Sequence, residues 1–136
     1  MFLANYLLFD GNCADAFKFY EKLLGGKIDA LLTHRGTPAE ETVPEAWRDK
    51  ILHAHMLIGT QSLMGSDAPP GYYAKPAGFH VSLSVDEPKE AERLFAALTE
   101  RGTVQSPLGE TFFAQRFGMC VDRFGIPWMV NCPKTA

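Results

Sequence analysis

The residues best suited to chemistry in this 136-residue chain are three histidines, a serine and a glutamate, set in strand-like and aromatic segments. In Phe79-His-Val-Ser-Leu-Ser-Val, alternation puts His80, Ser82 and Ser84 on one strand face and Phe79, Val81, Leu83 and Val85 on the other. An imidazole, with an ordinary pKa of about 6.5, can take up and release a proton near neutrality. His80 is therefore a candidate catalytic base and ligand contact. His53 and His55 stand two apart and share a strand face opposite Leu52, Ala54 and Met56. Such a pair can contact a ligand or chelate a metal, and with His80 it would make a three-histidine site if the fold joined them. The plainer alternative is a pair of strand histidines near solvent.

Glu110 precedes Thr111, Phe112 and Phe113. A carboxyl group held against aromatic rings has a raised pKa and can act as acid or base, whereas an exposed turn glutamate is the commoner case. Phe113 offers aromatic lining for a pocket. Ser66 shares a strand face with Ser62 and Met64 and can hydrogen-bond at a cleft mouth. Asp67, next in the chain, either does the same or caps a turn before Pro69-Pro70. The candidate ligand-binding set is His53, His55, Ser66, His80, Glu110 and Phe113. His80 and Glu110 are the catalytic candidates.

The elements that must position these residues are read from periodicity. Apolar strands are predicted over 2–9, 27–33, 51–58, 61–66, 79–85, 103–108, 114–121 and 127–132. Ala16, Phe17, Phe19, Tyr20, Leu23 and Leu24 predict a helix over 13–24, capped by Asn12 and stopped by Gly25-Gly26. Pro88 begins a second helix that runs to about Arg101, with Gly102 as its stop. Residues 34–50 are polar and Pro-containing. They predict a surface loop with a helical turn near Glu45–Trp47, suited to a lid or a partner contact.

The order strand, helix, three strands occurs twice. The two passes align Ala16 with Ala91, Phe19 with Leu94, Leu23 with Leu98, and Asn5 with His80. The expectation is one α+β domain of two βαβββ modules, about 1–66 and 79–136, joined by a loop over 67–78.

The chain carries 13 basic and 16 acidic residues without a basic cluster, which argues against nucleic-acid binding. No apolar run approaches the length of about 18 residues that a membrane span requires. No secretory signal is apparent. Cys13, Cys120 and Cys132 are odd in number and lack C-x-x-C spacing, as expected of reduced thiols in a cytoplasmic protein.

Five segments carry a family likeness: Phe9-Asp-Gly-Asn-Cys-Ala-Asp-Ala-Phe, Ile51-Leu-His-Ala-His, Leu63-Met-Gly-Ser-Asp, Gly109-Glu-Thr-Phe-Phe, and Phe117-Gly-Met-Cys-Val-Asp-Arg-Phe-Gly-Ile-Pro-Trp-Met-Val-Asn. Over nearly its whole length the chain resembles the PhnB-like branch of the vicinal-oxygen-chelate superfamily, that of the glyoxalases and bleomycin-resistance proteins. The resemblance implies a cup-shaped mixed sheet, a homodimer and a small-molecule ligand. It also implies, in the enzymes, a divalent metal held by His and Glu from the first, fourth, fifth and eighth strands. Carried over, those slots fall at Asn5, Met64, His80 and Met129, of which only His80 is a ligand of the expected type.

The favoured expectation is a small-molecule-binding protein without the usual metal or any other cofactor. One alternative is a metal-dependent lyase or isomerase using His53, His55 and His80, or Glu110. The other is a resistance protein that sequesters an aromatic drug at a dimer interface.

Overall fold

Helix α1 (Cys13–Leu24) forms because Cys13, Ala16, Phe17, Tyr20 and Leu23 recur at helical spacing and bury one stripe. Gly25 ends it in the left-handed conformation, with φ 66°. In α2 (Pro88–Thr99), Pro88 occupies the first turn, and Ala91, Leu94, Phe95 and Leu98 form the buried stripe. Around the helices run eight strands: β1 (Asn5–Phe9), β2 (Lys27–Thr33), β3 (Ile51–Ile58), β4 (Gln61–Asp67), β5 (Val81–Ser84), β6 (Thr103–Gly109), β7 (Ala114–Val121) and β8 (Pro127–Pro133). These elements belong to a computed structural model that describes residues 1–135.

The strands make two four-stranded mixed sheets, ordered β1-β4-β3-β2 and β5-β8-β7-β6. In each, the outer strand that precedes the helix runs parallel to its neighbour and the other pairs are antiparallel. The fold is thus α+β, built of two βαβββ modules. The chain divides into two compact units, Met1–Ala74 and Lys75–Ala136. Among the described residues no helix is long and apolar enough to cross a membrane.

Each helix covers one face of its own sheet. In the first unit Leu7, Phe9, Ala54, Met56 and Leu63 are buried, with Phe9 edge-on to Phe17 of α1, and Gly65 lets the helix approach: a Cβ there would stand 2.8 Å from the Phe17 ring. In the second unit Gly118 does the same for Phe95, at 2.7 Å. Trp128, predicted to face the helix, is buried.

Three local expectations need correction. Asn12 does not cap α1 through its side chain; the first helical amide, of Cys13, donates instead to Asp67 Oδ1 at 2.9 Å. Asp67 is therefore not a turn cap, since its Oδ2 also accepts the Ile51 amide at 2.8 Å and the buried carboxylate ties β3, β4 and α1 together. The pairing of Asn5 with His80 is one residue out. Tyr6 lies opposite Met64, and Ser82 lies opposite Met129, so Tyr6 and Ser82 are the equivalent positions. Asn5 has the parity of the helix-covered Leu7 and Phe9, whereas His80 has that of the exposed Ser82 and Ser84.

The segment between β2 and β3 contains two 3-10 turns, Pro38–Thr42 and Glu45–Trp47, where one was expected. Its base is fastened. Buried His34 bonds through Nδ1 to the Lys50 carbonyl at 3.0 Å, and Lys50 Nζ donates to the Gly11 carbonyl at 2.9 Å.

Candidate functional site

With α1 on one face of the first sheet, alternation sends Tyr6, Leu8, Leu32, His53, His55, Leu57, Ser62, Met64 and Ser66 to the other. Tyr6, Leu8, Leu32 and Leu57 are exposed there, an apolar surface that a folded domain ordinarily hides or uses. Two polar groupings stand on it. The Tyr6 hydroxyl is 3.1 Å from His53 Nδ1, with the rings stacked at 5.8 Å and 24°. His55 is held at both ends: Nδ1 meets Asp29 Oδ1 at 2.5 Å and Nε2 meets Ser62 Oγ at 2.9 Å. Beside Ser62 opens a hollow of 380 Å³ lined by Phe2, Leu3, Ala4, Asn5, Thr60, Gln61 and Ser62.

Asp29 reaches His55 because β2 carries a bulge. Ile28 lies opposite Met56 and Ala30 opposite His55, which leaves Asp29 as the extra residue. Bulges re-aim a side chain at the cost of one ladder position.

The second unit repeats the device with different chemistry. Between Val104 and Ser106 the β6 register also shifts, at Gln105, and Gln105 Oε1 accepts from His80 Nε2 at 2.8 Å. His80 stands one residue before β5 and lines a hollow of 350 Å³ with Lys75, Phe79, Thr103, Gln105 and Val121 among its walls. Glu110 is not among them. Its carboxylate is exposed, 3.6 Å from Lys134 Nζ. Phe113 lies edge-on between Phe112 and Phe117, at 5.1 and 5.2 Å.

The predicted site residues are thus distributed. His53, His55 and Ser66 share the open face of the first sheet, although His53 and His55 bond to different partners. His80, Glu110 and Phe113 belong to the second unit. Tyr6, Asp29 and Gln105 escaped the sequence reading as site residues. Parity marks Tyr6, once its strand is registered against Met64. Nothing local marks Asp29 or Gln105, because a bulge depends on the partner strand.

The four slots that the resemblance implies for a metal hold an amide (Asn5), two thioethers (Met64, Met129) and one imidazole (His80). The two thioethers do not fit a hard divalent ion, which takes carboxylate, carbonyl or water oxygens. Among the described residues no three His, Cys, Asp or Glu side chains come together as a metal-binding group.

Three comparisons bear on this architecture. The model of the Glyoxalase/Bleomycin resistance protein/Dioxygenase superfamily matches residues 3–130. Protein YjdN of Escherichia coli strain K12 is 34% identical over 140 residues, covering 97% of this chain and 95% of that one. Protein PA1353 from Pseudomonas aeruginosa has a solved structure that superposes with a TM-score of 0.90 at 48% identity, over 99% of each chain. The PhnB protein of Bacillus cereus shares the fold, with a TM-score of 0.80 at 21% identity over 97% of this chain and 99% of that one. A model match across almost the whole chain, on a twice-repeated βαβββ unit, decides the family: the chain belongs to the glyoxalase/bleomycin resistance protein/dioxygenase superfamily.

Proposed function

We propose that the protein binds a small organic molecule with an apolar body and a hydrogen-bonding group, on the open face of its first sheet, and does so without the superfamily's usual metal. The observation that carries this is the Tyr6–His53 couple. A hydroxyl and an imidazole 3.1 Å apart stand among exposed Leu8 and Leu32, opposite Ser66 and His53 respectively. Ligand sites combine apolar lining with a few convergent polar groups in this way. His53, His55 and Ser66 supply the polar contacts here. In the other unit His80 is proposed as the polar contact of a separate hollow, where Phe79 and Val121 give apolar walls. Glu110 and Phe113 are proposed as peripheral contacts beyond that hollow. The absence of a metal role is supported by the mismatch of the Met64 and Met129 thioethers to hard-ion ligation. A homodimer, common among relatives, is the proposed assembly, to be read by sedimentation.

A thermal-shift screen of small aromatic and carbonyl metabolites, run with and without Mn²⁺, Ni²⁺ and Zn²⁺, tests the proposal. A binder raises the melting temperature by mass action. Shifts that appear only with a metal, or that persist unchanged in His53→Ala, would overturn it.

A further inference from the structure

We propose that Ser62, His55 and Asp29 form a nucleophile–base–orienting relay that hydrolyses a small ester through an acyl-Ser62 intermediate. It builds on the reading of this face as a ligand surface but uses residues apart from the Tyr6–His53 couple. The relay rests on three observations. First, the two ring nitrogens of His55 have different partners: Asp29 Oδ1 at Nδ1, 2.5 Å, and Ser62 Oγ at Nε2, 2.9 Å. The carboxylate can only accept, so Nδ1 carries the proton and Nε2 is left to accept from the serine hydroxyl. This is the order in which acyl-transfer triads are wired, whatever fold carries them.

Second, the orienting carboxylate is placed by a backbone device. Asp29 is the extra residue of the β2 bulge, and a bulge beside a histidine re-aims a side chain that regular alternation would direct elsewhere. Third, the nucleophile opens onto space. Ser62 lines the 380 Å³ hollow whose other walls are Phe2, Leu3, Ala4, Asn5, Thr60 and Gln61. The first three suit an apolar acyl or alcohol group. The Thr60 hydroxyl, another wall of the hollow, is a donor of the type that stabilises an oxyanion.

The step balances without a redox partner. As the Ser62 Oγ–carbonyl bond forms, the hydroxyl proton passes to His55 Nε2. When the ester C–O bond breaks, that proton goes to the leaving alcohol. Water then attacks the acyl-serine, gives a proton to His55, and Ser62 recovers it as the acid departs. The net change is ester plus water to acid plus alcohol. Ser62 and His55 touch the reacting atoms, whereas Asp29 is a positioning residue.

The experiment uses the intact protein with 4-nitrophenyl acetate and a fluorophosphonate probe. The expected result is a nitrophenolate burst of up to one equivalent per chain, with phosphonylation at Ser62 located by peptide mass spectrometry. Ser62→Ala abolishes both. Asp29→Asn slows labelling by ~10²-fold or more, since it no longer fixes the tautomer, and Asp29→Glu restores part of the rate. A purely structural Asp29 would change the melting temperature and leave the labelling rate of the folded protein unchanged. Absence of probe on Ser62, or a folded Ser62→Ala that hydrolyses at the parent rate, would overturn the relay. Ligand-induced thermal shifts are read separately, so the relay can fail while the binding proposal stands.

Discussion

The Asp67 carboxylate and the Cys13 amide, 2.9 Å apart, join the end of β4 to the start of α1 across 54 positions of sequence. The second oxygen of the same group takes the Ile51 amide where β3 begins. Two buried amides thus depend on one side chain. Asp67→Ala leaves both unpaired and should lower the unfolding free energy by about 2–4 kcal/mol. Asp67→Asn, which keeps one good acceptor, should cost less. Urea titration of the three proteins measures the order, and an alanine variant as stable as the parent would show that the carboxylate is not a tie.

Gly65 is the residue that sets how closely α1 approaches its sheet. A Cβ there meets the Leu7 carbonyl as well as the Phe17 ring, each at 2.8 Å, and a backbone oxygen does not yield cheaply. Gly65→Ala should destabilise by about 1–3 kcal/mol through overpacking. Adding Phe17→Leu should recover part of the loss, which a double-mutant cycle would resolve.

Tyr6→Phe keeps the ring stacked on His53 and removes only the hydroxyl. Because Tyr6 is exposed, the melting temperature should move little. Affinity for any ligand found in the screen should fall by roughly 3–10-fold, the worth of one hydrogen bond. Isothermal titration of the two proteins checks this, and unchanged affinity would place the ligand elsewhere.

Burial, together with the nearby Asp122 carboxylate, raises the Cys120 thiol from 9.0 to about 11. The unfolded chain therefore gives up this proton first. Between those two values the native state binds more protons than the unfolded one, so stability falls as pH rises through the window and is retained below it. The loss should be on the order of 2 kcal/mol. Burial, with Asp67 beside it, shifts Cys13 upward too. Cys120→Ser should flatten the alkaline limb of a denaturation series, and native protein at pH 8 should react slowly with a disulfide reagent.

Much of the architecture was legible because it is periodic. Helix 13–24 and strands 27–33, 51–58 and 114–121 are found at the residues the sequence predicts. Their apolar side chains repeat at the spacing of one element and against one partner. Strands 2–9 and 79–85 shorten to Asn5–Phe9 and Val81–Ser84, since a strand ends where its neighbour stops pairing. What could not be read was non-local. Asn12 is a good cap by type, yet Asp67 delivers a charged acceptor from another strand. Asn5 and His80 align by sequence, yet pairing with β4 and β8 moves the match to Tyr6 and Ser82. His53 and His55 were visible as a pair, but their partners Tyr6, Asp29 and Ser62 come from three other segments.

The two bulges, at Asp29 and Gln105, have a consequence for how such a module diversifies. Each residue is surplus to the ladder, so its identity is not tied to packing beneath the helix. It nonetheless grips a histidine: His55 by a carboxylate, His80 by an amide. One exchange at such a position converts a neutral hydrogen-bond partner into an anionic one, or the reverse, without redrawing the core. Selection can therefore exchange the hydrogen-bond partner of either imidazole through one substitution of little cost to folding, so the bulges mark where functions can diverge within a scaffold that stays the same.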